Sequence, residues 1–198
     1  MTTSTLVIST GNAHKIGELH ELLEGIPFEM SSLKDYPFVI PAEETGDTFK
    51  ANAILKAVSV AQQTGELSFA DDSGLVVDAL DGRPGIYSSR YAENDTARIQ
   101  RILTELKDIP TDKRTARFVC SIAVASASGQ LWTVEGACEG LIDFTPRGDN
   151  GFGYDPIFLF PQLEKTFAEL SAQQKNQHSH RSHAVRAILP ILLEIATI

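Results

Sequence analysis

The chain has only two cysteines, Cys120 and Cys138, and neither belongs to a CxxC pair or a zinc-type spacing. Both lie in apolar, strand-like contexts and read as reduced, buried small hydrophobes, so no disulfide framework is expected. The last apolar stretch, Ala187 to Ile198, is too short to span a bilayer and contains Pro190 and Glu194. The opening segment MTTSTLVIST lacks a basic region followed by an apolar run and a cleavage site, so a cytoplasmic protein is expected. Excess positive charge is missing too: the formal net charge is −9. A general nucleic-acid or membrane-surface binder carries a basic face, so neither nucleic acid nor membrane is an expected partner. A polyphosphate ligand would need a few placed cations and a metal, because the bulk field opposes it. No internal repeat, low-complexity tract or Walker GxxxxGK[ST] spacing is present.

What is there is an ordinary globular balance: 198 residues, 42% hydrophobic and 22% charged. At that length one domain over 1–198 is the expectation, with a sizeable core. Leu6-Val7-Ile8 reads as a buried strand, followed by a tight turn and a helix on Ile16, Leu19, Leu22 and Leu23 that Gly25 and Pro27 end. Phe28 to Leu33 reads as a second strand. Thr48 can cap a helix running to Gly65. Ser68-Phe69-Ala70 leads into Asp71-Asp72-Ser73-Gly74, with Leu75-Val76-Val77 as another extended piece. A Gly/Pro loop spans 81–91 and an amphipathic helix 96–106. Extended runs follow at 116–126, 131–138 and 141–144, with Ser128-Gly129 as a hairpin turn. A glycine-rich loop covers 147–156, a strand 157–160, and a closing helix 184–195 kinked by Pro190. Strands alternate with helices and then cluster, which predicts an α/β protein with a mixed sheet.

Five segments carry candidate chemistry. In Ser9 to Lys15 a strand ends, Gly11 permits a turn and a helix starts. Free N–H groups and the helix dipole there favour an anion, and Lys15 adds an ammonium one turn in. An ordinary capped helix with a surface lysine is the bland alternative. Glu43 and Glu44 precede the next helix, which carries Asn52 and Lys56. They either favour its dipole or ligate a hard cation, since Mg²⁺ takes one or two carboxylates with phosphate oxygens and water. Adjacent Asp71 and Asp72 repel each other and need a cation nearby unless a solvated turn holds them. With Ser73 as a phosphate donor and Gly74 for close approach, a metal–phosphate site is the stronger reading. In Gly151-Phe152-Gly153-Tyr154-Asp155 two glycines flank an aromatic ring, which suits a flat ligand. Lys175 and Ser179-His180-Arg181 supply donors that fit an oxygen at purine position 6 and oppose an amino group there. Otherwise they belong to a polar loop with exposed histidines. No cysteine or nearby acid completes a zinc site from His178, His180 and His183.

Together these segments resemble the inosine triphosphate pyrophosphatases, also called dITP/XTP pyrophosphatases. The matching pieces are TGNAHK (10–15), AEETGDTF (42–49) with NAILKA (52–57), ADDSGLVVD (70–78), GRPGIYSSRY (82–91), GFGYDPIF (151–158), and Lys175 with SHR (179–181). The resemblance implies an elongated, two-lobed α/β fold, a mixed central sheet flanked by helices with an active-site cleft, and usually a homodimer. It implies a Mg²⁺-dependent enzyme that cuts ITP, dITP and XTP to the monophosphate and pyrophosphate. By position, Thr10, Gly11, Asn12, Ala13, His14 and Lys15 hold the triphosphate. Asp72 is the proton acceptor and a metal ligand, Glu43 the second metal carboxylate with Glu44 as the alternative, and Ser73 a substrate contact. Phe152, Gly153, Tyr154, Asp155, Lys175, His180 and Arg181 surround the base and sugar.

Overall fold

The computed structural model describes residues 4–197. The apolar run after Thr5 forms β1 (Thr5–Ile8). It exits through a tight turn into α1 (Ala13–Leu22), whose cap is Asn12. α1 buries Leu19 completely, worth roughly 2 kcal/mol. β2 (Glu29–Ser32) returns parallel to β1, with Thr5 opposite Glu29. α2 (Phe49–Thr64) starts at Thr48, whose side chain accepts the Ala51 N–H. It stops at Gly65, whose φ of 78° is left-handed backbone that glycine adopts without a Cβ penalty. β3 (Leu67–Val77) then pairs parallel with β1, Leu6 opposite Leu67.

The later elements are α3 (Asp95–Glu105), β4 (Thr115–Ala125) and β5 (Leu131–Ile142). The β4–β5 connection turns at Gly129, with Ser126 N–H bonded to the Gln130 carbonyl. β6 (Phe158–Phe160) and β7 (Lys165–Thr166) add antiparallel strands, Leu141 opposite Leu159 and Phe160 opposite Lys165. α4 (Ala172–His178) and α5 (His180–Ile195) close the chain, α5 running through Pro190. The seven strands lie in the order β2-β1-β3-β4-β5-β6-β7. This is the expected mixed sheet with flanking helices.

Three local expectations change. The DDSG segment is no turn, and β3 runs straight through it, because both aspartates find lysine partners without solvent. The runs expected at 131–138 and 141–144 merge into one strand that ends at Ile142. The segment for which a polar loop was the alternative reading is helical, and α5 begins at His180 instead of Ala184. A capping box starts α4: Ser171 Oγ accepts the Gln174 N–H at 3.2 Å, and Gln174 Oε1 accepts the Ser171 N–H at 3.1 Å.

The chain divides into two compact units. One comprises the residues up to Asp72, Cys120–Gly136, and those from Ser182 onward; the other comprises Ser73–Val119 and Ala137–Arg181. The first has two apolar clusters. Leu6, Ile8, Leu19, Phe69, Ile122, Val124, Ile188 and Leu192 form the larger. The smaller is built from alanines: Ala53, Ala57 and Ala61 of α2 against Ala70, Ala123 and Ala125. Such short side chains let the helix approach the sheet closely, which brings polar residues of α2 within reach of β3. The second unit packs Leu75, Ile102, Phe118, Tyr154, Phe158 and Phe167 together. Among the described residues, no helix is long and apolar enough to cross a membrane.

Candidate active site

Successive residues of a strand point to opposite faces. Phe69 and Asp71 therefore share the α1 face of β3, while Ala70 and Asp72 share the α2 face, as the two apolar clusters of the first unit require. Each aspartate meets the lysine of its own helix. Lys15 Nζ lies 2.9 Å from Asp71 Oδ2, and Lys56 Nζ lies 3.0 Å from Asp72 Oδ1. The Cys120 thiol is also close to Asp71, with Sγ 4.0 Å from Oδ2.

Lys56 also binds Glu44 Oε1 at 2.9 Å, so one ammonium holds two carboxylates. Burial raises the Asp72 pKa above the usual carboxylate value; Lys56 and Lys15 pull it back and Glu44 pushes it up again. Burial alone would lower the Lys56 pKa, but Asp72, Asp71 and Glu44 outweigh that and hold the lysine protonated. Asn52, wholly buried, completes the group: Nδ2 donates to Asp72 Oδ2 at 3.3 Å and Oδ1 accepts the Gly46 N–H at 2.8 Å. Glu43 is exposed, and its carbonyl accepts the Thr45 N–H.

The turn before α1 begins at buried Ser9, whose N–H bonds to the Phe69 carbonyl at 2.7 Å. Thr10 Oγ1 accepts the Asn12 N–H, and Asn12 Oδ1 accepts the N–H groups of His14 and Lys15. Asn12 therefore caps the helix. Gly11, Asn12, Ala13 and His14 are exposed. A Cβ built on Gly11 meets nothing within 4 Å, so internal packing does not demand glycine there.

In the second unit, Phe152 is the half-buried ring of the glycine-rich loop. Lys175 Nζ stands 5.0 Å and the Arg181 guanidinium carbon 5.9 Å from its centroid, both within cation–π range. Asp155 is buried and anchors the loop: its Oδ2 accepts from Lys175 Nζ at 2.6 Å and from the Phe152 N–H at 2.9 Å. Gly151 has φ of 75°, and a Cβ there would lie 2.0 Å from Asp155 Oδ2, so no other residue fits. The Gly153 N–H donates to Asp95. Tyr154 is buried and donates its hydroxyl to the Ser88 carbonyl at 2.8 Å, and burial pushes its pKa up. It packs in the apolar cluster of this unit. Buried Arg181 donates to Ser73 Oγ at 3.0 Å, and buried His180 stacks on Phe118 at 4.8 Å.

The Ham1 family model matches residues 6–191. The chain belongs to the Ham1 family. Relatives named dITP/XTP pyrophosphatase include one from Desulforamulus reducens, 47% identical and covering 94% of each chain, and one from Bacillus cereus, 49% identical over 92% of each. Among solved structures, a HAM1 protein from Coxiella burnetii is 41% identical and superposes with a TM-score of 0.89 over 96% of this chain and 99% of its own. A nucleoside-triphosphatase / dITP/XTP pyrophosphatase from Mycobacterium abscessus gives 0.77 at 40% identity, over 94% of this chain and 99% of its own.

Lys56 and Asn52 were visible on the helix in sequence but had no role there, and the structure makes them the direct partners of Asp72. Their i,i+4 spacing, which puts both on one face of α2, was the available signal. Likewise Glu44, and not its exposed neighbour, reaches Lys56.

Proposed function

We propose that this chain hydrolyses dITP, ITP and XTP to the nucleoside monophosphate and pyrophosphate, and so clears deaminated purines from the nucleotide pool. Its relatives from Desulforamulus reducens and Bacillus cereus carry the name dITP/XTP pyrophosphatase at close to half identity over nearly full length. The observation that carries the reading is the pair of adjacent buried aspartates, each matched to a lysine from a different helix. Burying carboxylates costs stability that a mere binding protein has no reason to spend. A nucleotide sensor would need the cations but not the acids.

In this reading Thr10 to Lys15 hold the triphosphate, with Lys15 and Lys56 offsetting its charge. Water attacks the α-phosphorus and Asp72 takes its proton, a task that suits a carboxylate whose pKa lies above the ordinary value. Ser73 contacts the substrate. Phe152 stacks on the base, and Lys175, His180 and Arg181 present donors to the 6-oxo group. Asp155 acts by holding the Phe152 loop, since Lys175 and the Phe152 N–H already occupy its Oδ2.

The cofactor in this reading is Mg²⁺. Glu44 and Asp72 offer oxygen donors that already converge on one cation, the Lys56 ammonium. Such a pair fits an ion that takes one or two carboxylates and completes its shell with phosphate oxygens and water. Among the described residues, no group of three or more His, Cys, Asp or Glu is placed to hold a metal unaided. Asp72 and Glu44 are the residues that would hold it, with exposed Glu43 as the other candidate. Bound with the triphosphate, the ion would neutralise charge on the phosphate oxygens.

The reading takes residues 1–198 as one catalytic domain that works in the cytoplasm as a homodimer, without nucleic-acid or membrane partners. Light scattering on the purified protein measures the dimer. The activity is tested with a panel of ITP, dITP, XTP, GTP, ATP and pyrimidine triphosphates in Mg²⁺. Pyrophosphate released mainly from ITP, dITP and XTP is expected, and equal hydrolysis across the panel would refute the substrate assignment.

A further inference from the structure

One side chain joins the turn before α2 to the acidic strand. Asn52 is wholly buried, and its amide works in two directions: Oδ1 accepts the Gly46 N–H at 2.8 Å, and Nδ2 donates to Asp72 Oδ2 at 3.3 Å. An N–H can only meet an acceptor, so the Gly46 bond fixes which way round the amide sits and turns its NH₂ toward the carboxylate. Gly46 is constrained from its own side. A Cβ there would lie 2.7 Å from Ala51 Cβ and 2.8 Å from Asn52 Oδ1. Glu44 stands two residues earlier in the same turn and reaches Lys56, which in turn binds Asp72. A closed ring results within one unit: Glu44, Lys56, Asp72, Asn52 and Gly46.

We propose that Asn52, together with Gly46, is a positioning residue that sets the separation of the Glu44 and Asp72 carboxylates. The inference rests on the proposed role of those two acids at a divalent cation. Lys56 pulls the carboxylates together, and the Asn52–Gly46 connection fixes how the glutamate-bearing turn lies against the strand. The asparagine amide carries the acceptor and the donor on one short side chain. Aspartate lacks the donor and sets a second charge against Asp72. Serine is too short to span the two partners, glutamine is a methylene too long for a wholly buried site, and leucine leaves both partners without a bond.

The test uses Asn52→Ser and Gly46→Ala, singly and combined, which cut the same connection from its two ends. Mn²⁺ binding is followed by electron paramagnetic resonance with the α,β-imido analogue of dITP present, beside steady-state turnover of dITP and melting curves. Each single variant is expected to bind Mn²⁺ roughly 10-fold more weakly and to lose kcat by a similar factor. The KM for dITP should stay within about twofold. The double variant should be no worse than the worse single one, because both remove one connection. A purely structural role would lower the melting temperature and leave Mn²⁺ affinity and kcat of the folded protein at wild-type values, which overturns the inference. Additive losses overturn it as well. If Asn52→Ser fails to fold, Gly46→Ala decides by the same two readouts. A wild-type protein that makes no pyrophosphate from dITP counts against the proposed activity, whereas an active wild type with unaffected variants counts against Asn52.

Discussion

Lys56 Nζ lies 3.0 Å from Asp72 Oδ1, a helix cation set against a strand carboxylate with both side chains largely withdrawn from water. Lys56→Met keeps the aliphatic stem and removes the charge. A buried carboxylate left without its partner costs about 3–5 kcal/mol, so urea melts should show a loss of that order. Burial then dominates Asp72 and favours its protonated form. Turnover of dITP at neutral pH should fall by about 10²-fold or more. A stable, fully active Lys56→Met variant would remove this pair from the account.

Asp72→Asn separates fold from chemistry. The amide occupies the same space and removes a charge that burial disfavours, so the melting temperature should stay close to that of the wild type. Loss of a proton acceptor should lower kcat by roughly 10²–10⁴-fold. Near-normal turnover would exclude Asp72 as the base.

The second unit assigns stacking and base identity to different residues. Phe152→Leu removes a stacking surface worth about 1–3 kcal/mol, so KM should rise roughly 10-fold for ITP and ATP alike. His180→Ala should instead narrow the preference for ITP over ATP, read as the ratio of kcat/KM values. If Phe152→Leu changes the ratio and His180→Ala leaves it untouched, the two roles are wrongly assigned.

Glu105 offers a pH-linked test away from that chemistry. Burial would raise its pKa, but hydrogen bonds from Tyr91 and Arg101 and the charges of Arg83 and Arg101 outweigh it, and the net shift is downward from 4.5. A carboxylate with a depressed folded-state pKa contributes stability above its unfolded value and loses it as pH falls through the folded one. Glu105→Gln should therefore lower the melting temperature at pH 7, and the difference from wild type should shrink as pH drops below about 4.5. A difference that is constant with pH would place the effect in packing instead of charge.

Much of the fold was legible because the signals were local. Thr48 and Gly65 bracket α2 as a cap and a left-handed stop, and Leu6-Val7-Ile8 became β1. What misled was context. Asp71-Asp72-Ser73-Gly74 has turn composition, yet lysines from two helices neutralise the aspartates and the strand continues. No local window contains those partners, since Lys15 and Lys56 are remote from the strand in sequence. The packing partners of Tyr154 and His180 were not legible either. Their burial depends on Ser88 and Phe118, equally distant along the chain. The start of α4 was missed although Ser171 and Gln174 carry a capping-box spacing.

In the proposed reaction water cleaves the triphosphate at its first phosphorus. That step is tested most directly by hydrolysing dITP in H₂¹⁸O and locating the label by ³¹P NMR and mass spectrometry. Unlabelled pyrophosphate and one ¹⁸O atom in dIMP are expected. Orthophosphate as the first product, or label in the pyrophosphate, would contradict it.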